Sequence, residues 1–384
     1  MKNPLKNLKV RSEEFSTSSP EAQYLDTQHR KGVFIFGMFI VVFVSFILAM
    51  SIGAVDIPFS DTAKIVLNKL FFNIFGEPSQ YYYTDIITKL RMPRILLCIL
   101  TGASLGMAGC VMQGLLRNPL VSPFTLGVST AAAFGAATAI VFGSSLLGAG
   151  YYATVSLGIF SFSWDTVLKT IFAFIFGLMS IAIVMFLTRN TTISRSTIIL
   201  SGVIISYLFQ AGLMFTKYIS DDSQLRDITM WMMGGFSGTT WGTILIVLPV
   251  VLVCGIYLEK LTVDINMLSS GDDVASNLGV DVPKLRNKGL VISTLTTTVC
   301  LAFTGTIGFI GLMAPHLCRR IIGNDARFLL PASALLGAAI LTLSDLFARI
   351  IVRPSELPVG IIMYIIGGVF FIWLVFGRRS EDSL

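Results

Sequence analysis

The chain has 384 residues, 54% of them hydrophobic and only 13% charged, with a formal net charge of +6. An ordinary soluble domain carries about a quarter charged residues, so this balance, with its repeated long apolar runs, excludes a soluble enzyme and indicates a membrane protein. The basic excess has a topological explanation, given below, and nucleic acid is not an expected partner.

Residues 1–32 are polar, rich in Ser, Thr and Gln, and end in His29-Arg30-Lys31. They lack the small-residue cleavage site of a secretory signal. A disordered cytoplasmic tail ahead of an uncleaved signal-anchor is expected. A span needs roughly 20 apolar residues. Ten candidates follow, at about 33–55, 93–115, 122–142, 170–188, 196–216, 241–258, 288–304, 306–322, 328–351 and 357–377. Gly305 and Gly308 interrupt the apolar run that holds the seventh and eighth. Phe142–Asp165 is glycine- and serine-rich yet apolar enough to lie at an interface. The fold class is therefore all-α and polytopic, with a transmembrane domain over 33–377 and a short cytoplasmic tail over 378–384.

Ten spans put both termini on one side. With the N-terminus inside, 18 of the 28 basic residues and 12 of the 22 acidic ones are internal, leaving 10 of each outside. The net charge then lies on the cytoplasmic face, as the positive-inside tendency requires. Arg91 and Arg94 flank Met92-Pro93 at the outer start of span two, and proline suits the first turn of a helix. Within that span Gly102, Gly106 and Gly109 form a small-residue face that lets neighbouring backbones approach. Arg349 reaches the same outer rim from span nine, four residues after Asp345 on one helix face. Three snorkelling arginines and a basic docking ring for a carboxylate-bearing partner fit this pattern equally.

On the inner side, the Glu259–Lys288 loop contains SSGDDVASNLGVDVPKLRNK. Asp272 and Asp273 favour a helix start, Gly279 a stop, and Pro283 the start of a second short helix. Two such helices across the cytoplasmic face would give a partner a lever to push.

Other chemistry is absent. Cys98, Cys110, Cys254, Cys300 and Cys318 fall in or beside spans without a C-x-x-C motif, as small packing residues do. His316 has no adjacent carboxylate, so neither a metal nor a resident cofactor is expected. No G-x-x-x-x-G-K-[ST] phosphate loop occurs, and no nucleophile–base pair supports an intramembrane enzyme. A secondary carrier driven by an ion gradient would show ionisable residues at mid-membrane. Asp345, the clearest acid, lies towards a span end, so the energy is expected to come from another subunit.

At RMPR (Arg91–Arg94), GASLGMAGCVMQGLLRNPLVSPFTLGVS (Gly102–Ser129), LRDITMWMMGGFSGTTW (Leu225–Trp241), GDDVASNLGV (Gly271–Val280), GTIGFIGLMAPHLCRR (Gly305–Arg320), LLPASALLGA (Leu329–Ala338) and SELPVGIIMYIIGGVFFIWL (Ser355–Leu374), the chain resembles the permeases of ABC importers for ferric siderophores, haem and cobalamin, the FecCD family. The likeness covers nearly everything after the tail. It implies ten spans with an inverted repeat, a second permease subunit that is identical or related, two ATPase subunits, and a binding protein outside a bacterial plasma membrane. A ferric siderophore is the implied cargo, with haem or cobalamin as alternatives. The resemblance assigns Arg91, Arg94 and Arg349 to glutamates on the binding protein's two lobes. It assigns Gly271, Asp272, Asp273, Ala275, Leu278 and Gly279 to coupling helices that fit the ATPase. It also places an inner gate at Thr191–Thr197, with Ser194 and Ser196 as its small polar residues. Arg195 between them departs from the family pattern.

Overall fold

A computed structural model describes residues 20–70, 76–157, 160–188 and 195–381. Its elements run α1 (Pro20–Ser51), α2 (Phe59–Leu70), α3 (Met92–Leu116), α4 (Val128–Leu147), β1 (Thr154–Leu157), β2 (Phe160–Ser163), α5 (Trp164–Thr188), α6 (Arg195–Ile219) and α7 (Asp222–Met233). There follow α8 (Trp241–Lys260), α9 (Thr262–Ser269), α10 (Asp272–Asn277), α11 (Val282–Thr304), α12 (Ile310–Ile322), α13 (Ala326–Ile350) and α14 (Val359–Glu381). A short helix, Tyr82–Asp85, and a π-helical turn, Ile86–Arg91, lead directly into α3. Among the described residues seven helices are long and apolar enough to cross a membrane: those containing α1, α3, α4, α5, α6, α8 and α13. With α11, α12 and α14, they correspond one for one to the ten expected spans.

α3 is the axis of the assembly. Leu97, Cys98, Leu105, Met112 and Leu115 along it are essentially inaccessible, whereas Phe36, Phe39 and Phe43 of α1 are more than half exposed. In a bilayer the exposed residues are lipid-facing, and lipid tails provide no hydrophobic drive for helices to meet. Close packing must therefore do that work. A methyl group on Gly102 would collide with the carbonyl of Gly337, one on Gly106 with that of Ser333, and one on Gly109 with that of Gly311. The small-residue face of α3 is thus a backbone-to-backbone seam against α12 and α13.

Three expectations change. Residues 20–32, read as tail, continue α1 without a break, while residues 1–19 lie outside the described residues. α12 spans only 13 residues, because Gly305 and Phe309 both adopt positive φ and keep the chain out of a helix until Ile310. In the ambiguous 142–165 segment, α4 continues to Leu147, Gly148–Tyr152 forms a 3-10 turn, and β1 and β2 pair as an antiparallel hairpin with Thr154 opposite Ser163. Apart from that hairpin, the described fold is helical.

Candidate functional site: the arginine cluster and the 259–288 loop

The start of α3, the end of α13 and the end of α1 meet at one face of the molecule. The last carbonyls of a helix have no intrahelical partners. Arg91 Nη1 donates to the carbonyls of Met50 (2.6 Å) and Ser51 (2.9 Å), and its Nη2 donates to that of Val55. Arg349 Nη2 donates to Ala49 (3.1 Å) and its Nη1 to Ile52 (3.3 Å). Two cations therefore cap the C-terminus of α1, where the helix dipole favours positive charge. Gly53 makes the approach possible, since a Cβ there would lie 2.7 Å from Arg91 Nη2.

Arg94 takes the acids. It holds Asp345 through Nε and Nη2, at 3.1 and 2.8 Å from Oδ1, and reaches Glu356 through Nη1 at 2.6 Å. Arg349 Nε lies 3.1 Å from the other Asp345 oxygen. Asp345 is 1% exposed, Arg349 3% and Arg91 6%. All three arginines, with Glu356, line a cavity of about 190 Å³. Beside it, Arg353 forks onto Asp56 at 2.9 and 3.0 Å and holds that carboxyl below its usual range.

The structure thus brings Arg91, Arg94 and Arg349 together, as the sequence predicts, but neither as a free ring nor as snorkelling residues. Two are buried against backbone, and the third is neutralised by acids of its own chain. The i,i+4 pair of Asp345 and Arg349 forms as expected. Sequence reading missed the dominant partner of Asp345, Arg94, which lies 251 residues away. It also missed Glu356, although that residue sits in the quoted SELPVG motif.

The opposite face carries the 259–288 loop. Gly271 precedes α10 with φ 131°, a conformation that favours glycine, and Gly279 ends it with φ 90°. Ala275 is fully buried, while Val274 and Leu278 are 45% and 61% exposed. Asp273 is exposed. Asp272 Oδ2 accepts from Arg286 Nη2 at 2.7 Å, and the buried Arg286 also donates through Nε to the Leu115 carbonyl at the end of α3 (3.3 Å). Arg195, at the start of α6, lies 3.8 Å from the other Asp272 oxygen.

The second helix predicted from Pro283 is not short. Asp281 caps it through the Lys284 N–H, and it runs on as α11 for 23 residues, so loop and span are one rod. The two short helices of the loop are α9 and α10. Of the gate residues, Ser194 lies outside the described residues, and Ser196 is in the first turn of α6.

Known proteins resemble this chain over most of its length. The FecCD transport family matches residues 40–377. The hemin transport system permease protein of Yersinia pestis is 36% identical over 294 residues, covering 77% of this chain and 84% of that protein. The Fe(3+)-citrate import system permease protein of Bacillus subtilis is 32% identical over 346 residues, covering 89% and 94%. A solved ABC transporter in an inward-facing conformation superposes with a TM-score of 0.74 at 29% identity, covering 89% of this chain and 98% of its own. With the matched region spanning the arginine cluster, α10 and nearly every membrane helix, the chain belongs to the FecCD transport family.

Proposed function

We propose that this multi-pass ABC importer permease moves a ferric siderophore, received on its arginine face from an external binding protein. ATPase subunits gripping α10 on the opposite face would drive the movement. The observation that carries this reading is the wiring of the two ends through one helix. α3 begins at the arginine cluster, and in its last turn the carbonyl of Leu115 is tied by Arg286 to Asp272 of α10.

At the arginine face, Glu356 stands where an arriving glutamate would bind Arg94. Docking exchanges an internal carboxylate for an external one, and a bidentate guanidinium–carboxylate pair fixes the orientation of the incoming lobe. At the coupling face, Val274 and Leu278 form the apolar knob that enters the ATPase, with Asp272 as its anchor. ATPase closure then pulls on Arg286 and Arg195 together, transmitting movement to α11, α3 and α6. The family supplies a second permease subunit, identical or related, and the path lies between the two copies. The arginine face is outside, and both termini are cytoplasmic.

The test is uptake of radiolabelled iron, presented as several siderophores and as haem, in cells with and without the gene. Loss confined to one siderophore class supports the reading. Normal iron uptake with a cobalamin defect would move the cargo. The identity to the hemin permease favours haem as the second reading, which haem-specific loss would establish.

A further inference from the structure

A second basic site lies on the coupling face, outside the parts used above. A cavity of about 400 Å³ opens between the ends of α3 and α12, the helix α9 and the start of α13. Arg117, Arg319, Asn118, Asn324 and Ser269 contribute to its wall, and no acid does.

Arg319 is half-buried, and its only side-chain hydrogen bond among the described residues goes to Gln113 Oε1 at 3.0 Å. Gln113 is itself buried, with Nε2 turned to the Gly311 carbonyl (3.2 Å), so its oxygen is held towards the arginine. One neutral acceptor leaves most of a guanidinium's five donors unused. The fully buried arginines described above, Arg91, Arg286 and Arg349, each have a carboxylate or several carbonyls. Asp325, the acid nearest in sequence, is taken by Arg327 at 2.8 Å and by Asn266 at 2.7 Å. Arg117 ends α3 in the left-handed conformation, φ 48°, where glycine is usual. A non-glycine residue held there costs of the order of 1 kcal/mol, and no carboxylate among the described residues offsets it. Asn118 uses its oxygen on the Leu120 N–H (2.9 Å), which leaves the amide NH₂ as a donor.

We infer that this cavity binds a phosphate-type oxyanion, as a lipid headgroup or as free phosphate. Its wall offers two guanidiniums and the amide donors of Asn118 and Asn324, and it is far larger than one carboxylate needs. Guanidinium forks match phosphate oxygens bidentately. The occupant would bridge α3, α9, α12 and α13 just beneath the coupling helix. This goes beyond the transport reading and does not depend on the cargo.

The full chain is placed in phosphatidylcholine nanodiscs with or without phosphatidylglycerol. Lipid retention is read by native mass spectrometry, and inorganic phosphate binding by titration. Arg319→Gln should reduce binding about tenfold. Asn324→Asp, a change at an exposed rim position that should not disturb folding, should do the same by placing a carboxylate in the wall. Arg319→Lys should retain part of the binding. Phosphatidylglycerol retention that phosphate does not displace assigns the headgroup. Phosphate binding without lipid preference assigns the free ion. Both arginines also lie near helix C-termini, where they would complement the dipole without any ligand. That role alone predicts neither retention nor phosphate binding, and this result overturns the proposal. Binding unchanged in both Arg319→Gln and Asn324→Asp overturns it equally.

Discussion

The two ends of α3 treat charge in opposite ways. At the arginine face, three cations converge with two acids, and the innermost groups are almost wholly enclosed. At the coupling face, Arg286 has its acid and a backbone carbonyl, while Arg319 has, among the described residues, only an amide oxygen. The first end is satisfied from within and needs an exchange before anything new can bind. The second holds unfilled donors. Breaking a buried pair by removing one partner is costly because it strands the other charge, whereas an exposed pair contributes little. Each end can therefore be probed by asking which group is stranded.

The largest effect belongs to the arginine face. Asp345→Asn removes the carboxylate that Arg94 and Arg349 share, leaving Arg94 with Glu356 and Arg349 with the carbonyls of Ala49 and Ile52, and a loss of about 3 kcal/mol is expected, the low end of the range for breaking a buried pair. Thermal unfolding in detergent would show it. A midpoint within a degree or two of the parent would mean that the cluster is wetter than its burial implies.

On the coupling side, Asp272→Asn removes the carboxylate that buried Arg286 holds at 2.7 Å, at an expected cost of about 2–3 kcal/mol given that the aspartate is itself only partly enclosed. Binding-protein stimulation of the ATPase should fall with it. An unchanged stimulated rate would remove Asp272 from the transmission path.

Glu356→Gln is the sharper probe of docking. It frees Arg94 on its accessible side at a stability cost below about 1 kcal/mol. Affinity for the binding protein should then rise about fivefold, since no internal carboxylate competes. Weaker binding would show that Glu356 helps to hold the partner. Arg94→Gln should abolish uptake while leaving in place the α1 cap that Arg91 and Arg349 provide; because it also strands buried Asp345, membrane content and the thermal midpoint are read beside uptake. Normal uptake in this variant would end the docking assignment.

The smallest effect is that of pH at Asp325. Arg327 and Asn266 hold this carboxyl at about 2, below its usual 3.8. A depressed carboxylate pKa contributes stability that is present above the unfolded value and lost as pH falls through the folded one. Stability should thus be insensitive to this group from neutrality down to about pH 4 and should fall below it, as pH-dependent unfolding would show. Arg327→Ala, which lets the folded value rise towards 3.8, should shrink the loss below pH 4, and an undiminished loss would indicate that another acid controls it.

How legible the molecule is from its sequence differs between elements. The span positions follow from runs of apolar residues, because a bilayer demands length and hydropathy from each helix separately. Disagreements fall where a helix is polar or interrupted. α11 absorbs the charged Lys284–Lys288 stretch that reads as loop, and α12 shrinks because two backbone positions adopt positive φ. The hairpin at 154–163 is hidden because four-residue strands leave too short a pattern to register.

The sequence by itself determined the membrane class, the ten-span order, the glycine seam of α3 and the identity of the arginines that meet. Composition and motif are local properties, and each of those features is written within a short window. Only the tertiary structure decided what the arginines touch. Arg94 meets Asp345 across 251 residues, Arg91 and Arg349 reach carbonyls of α1, and Arg319 meets an amide instead of an acid. A guanidinium takes whichever acceptors the packed backbone brings within hydrogen-bond reach. Which helix ends meet is a property of the whole bundle, written in no single window of the chain.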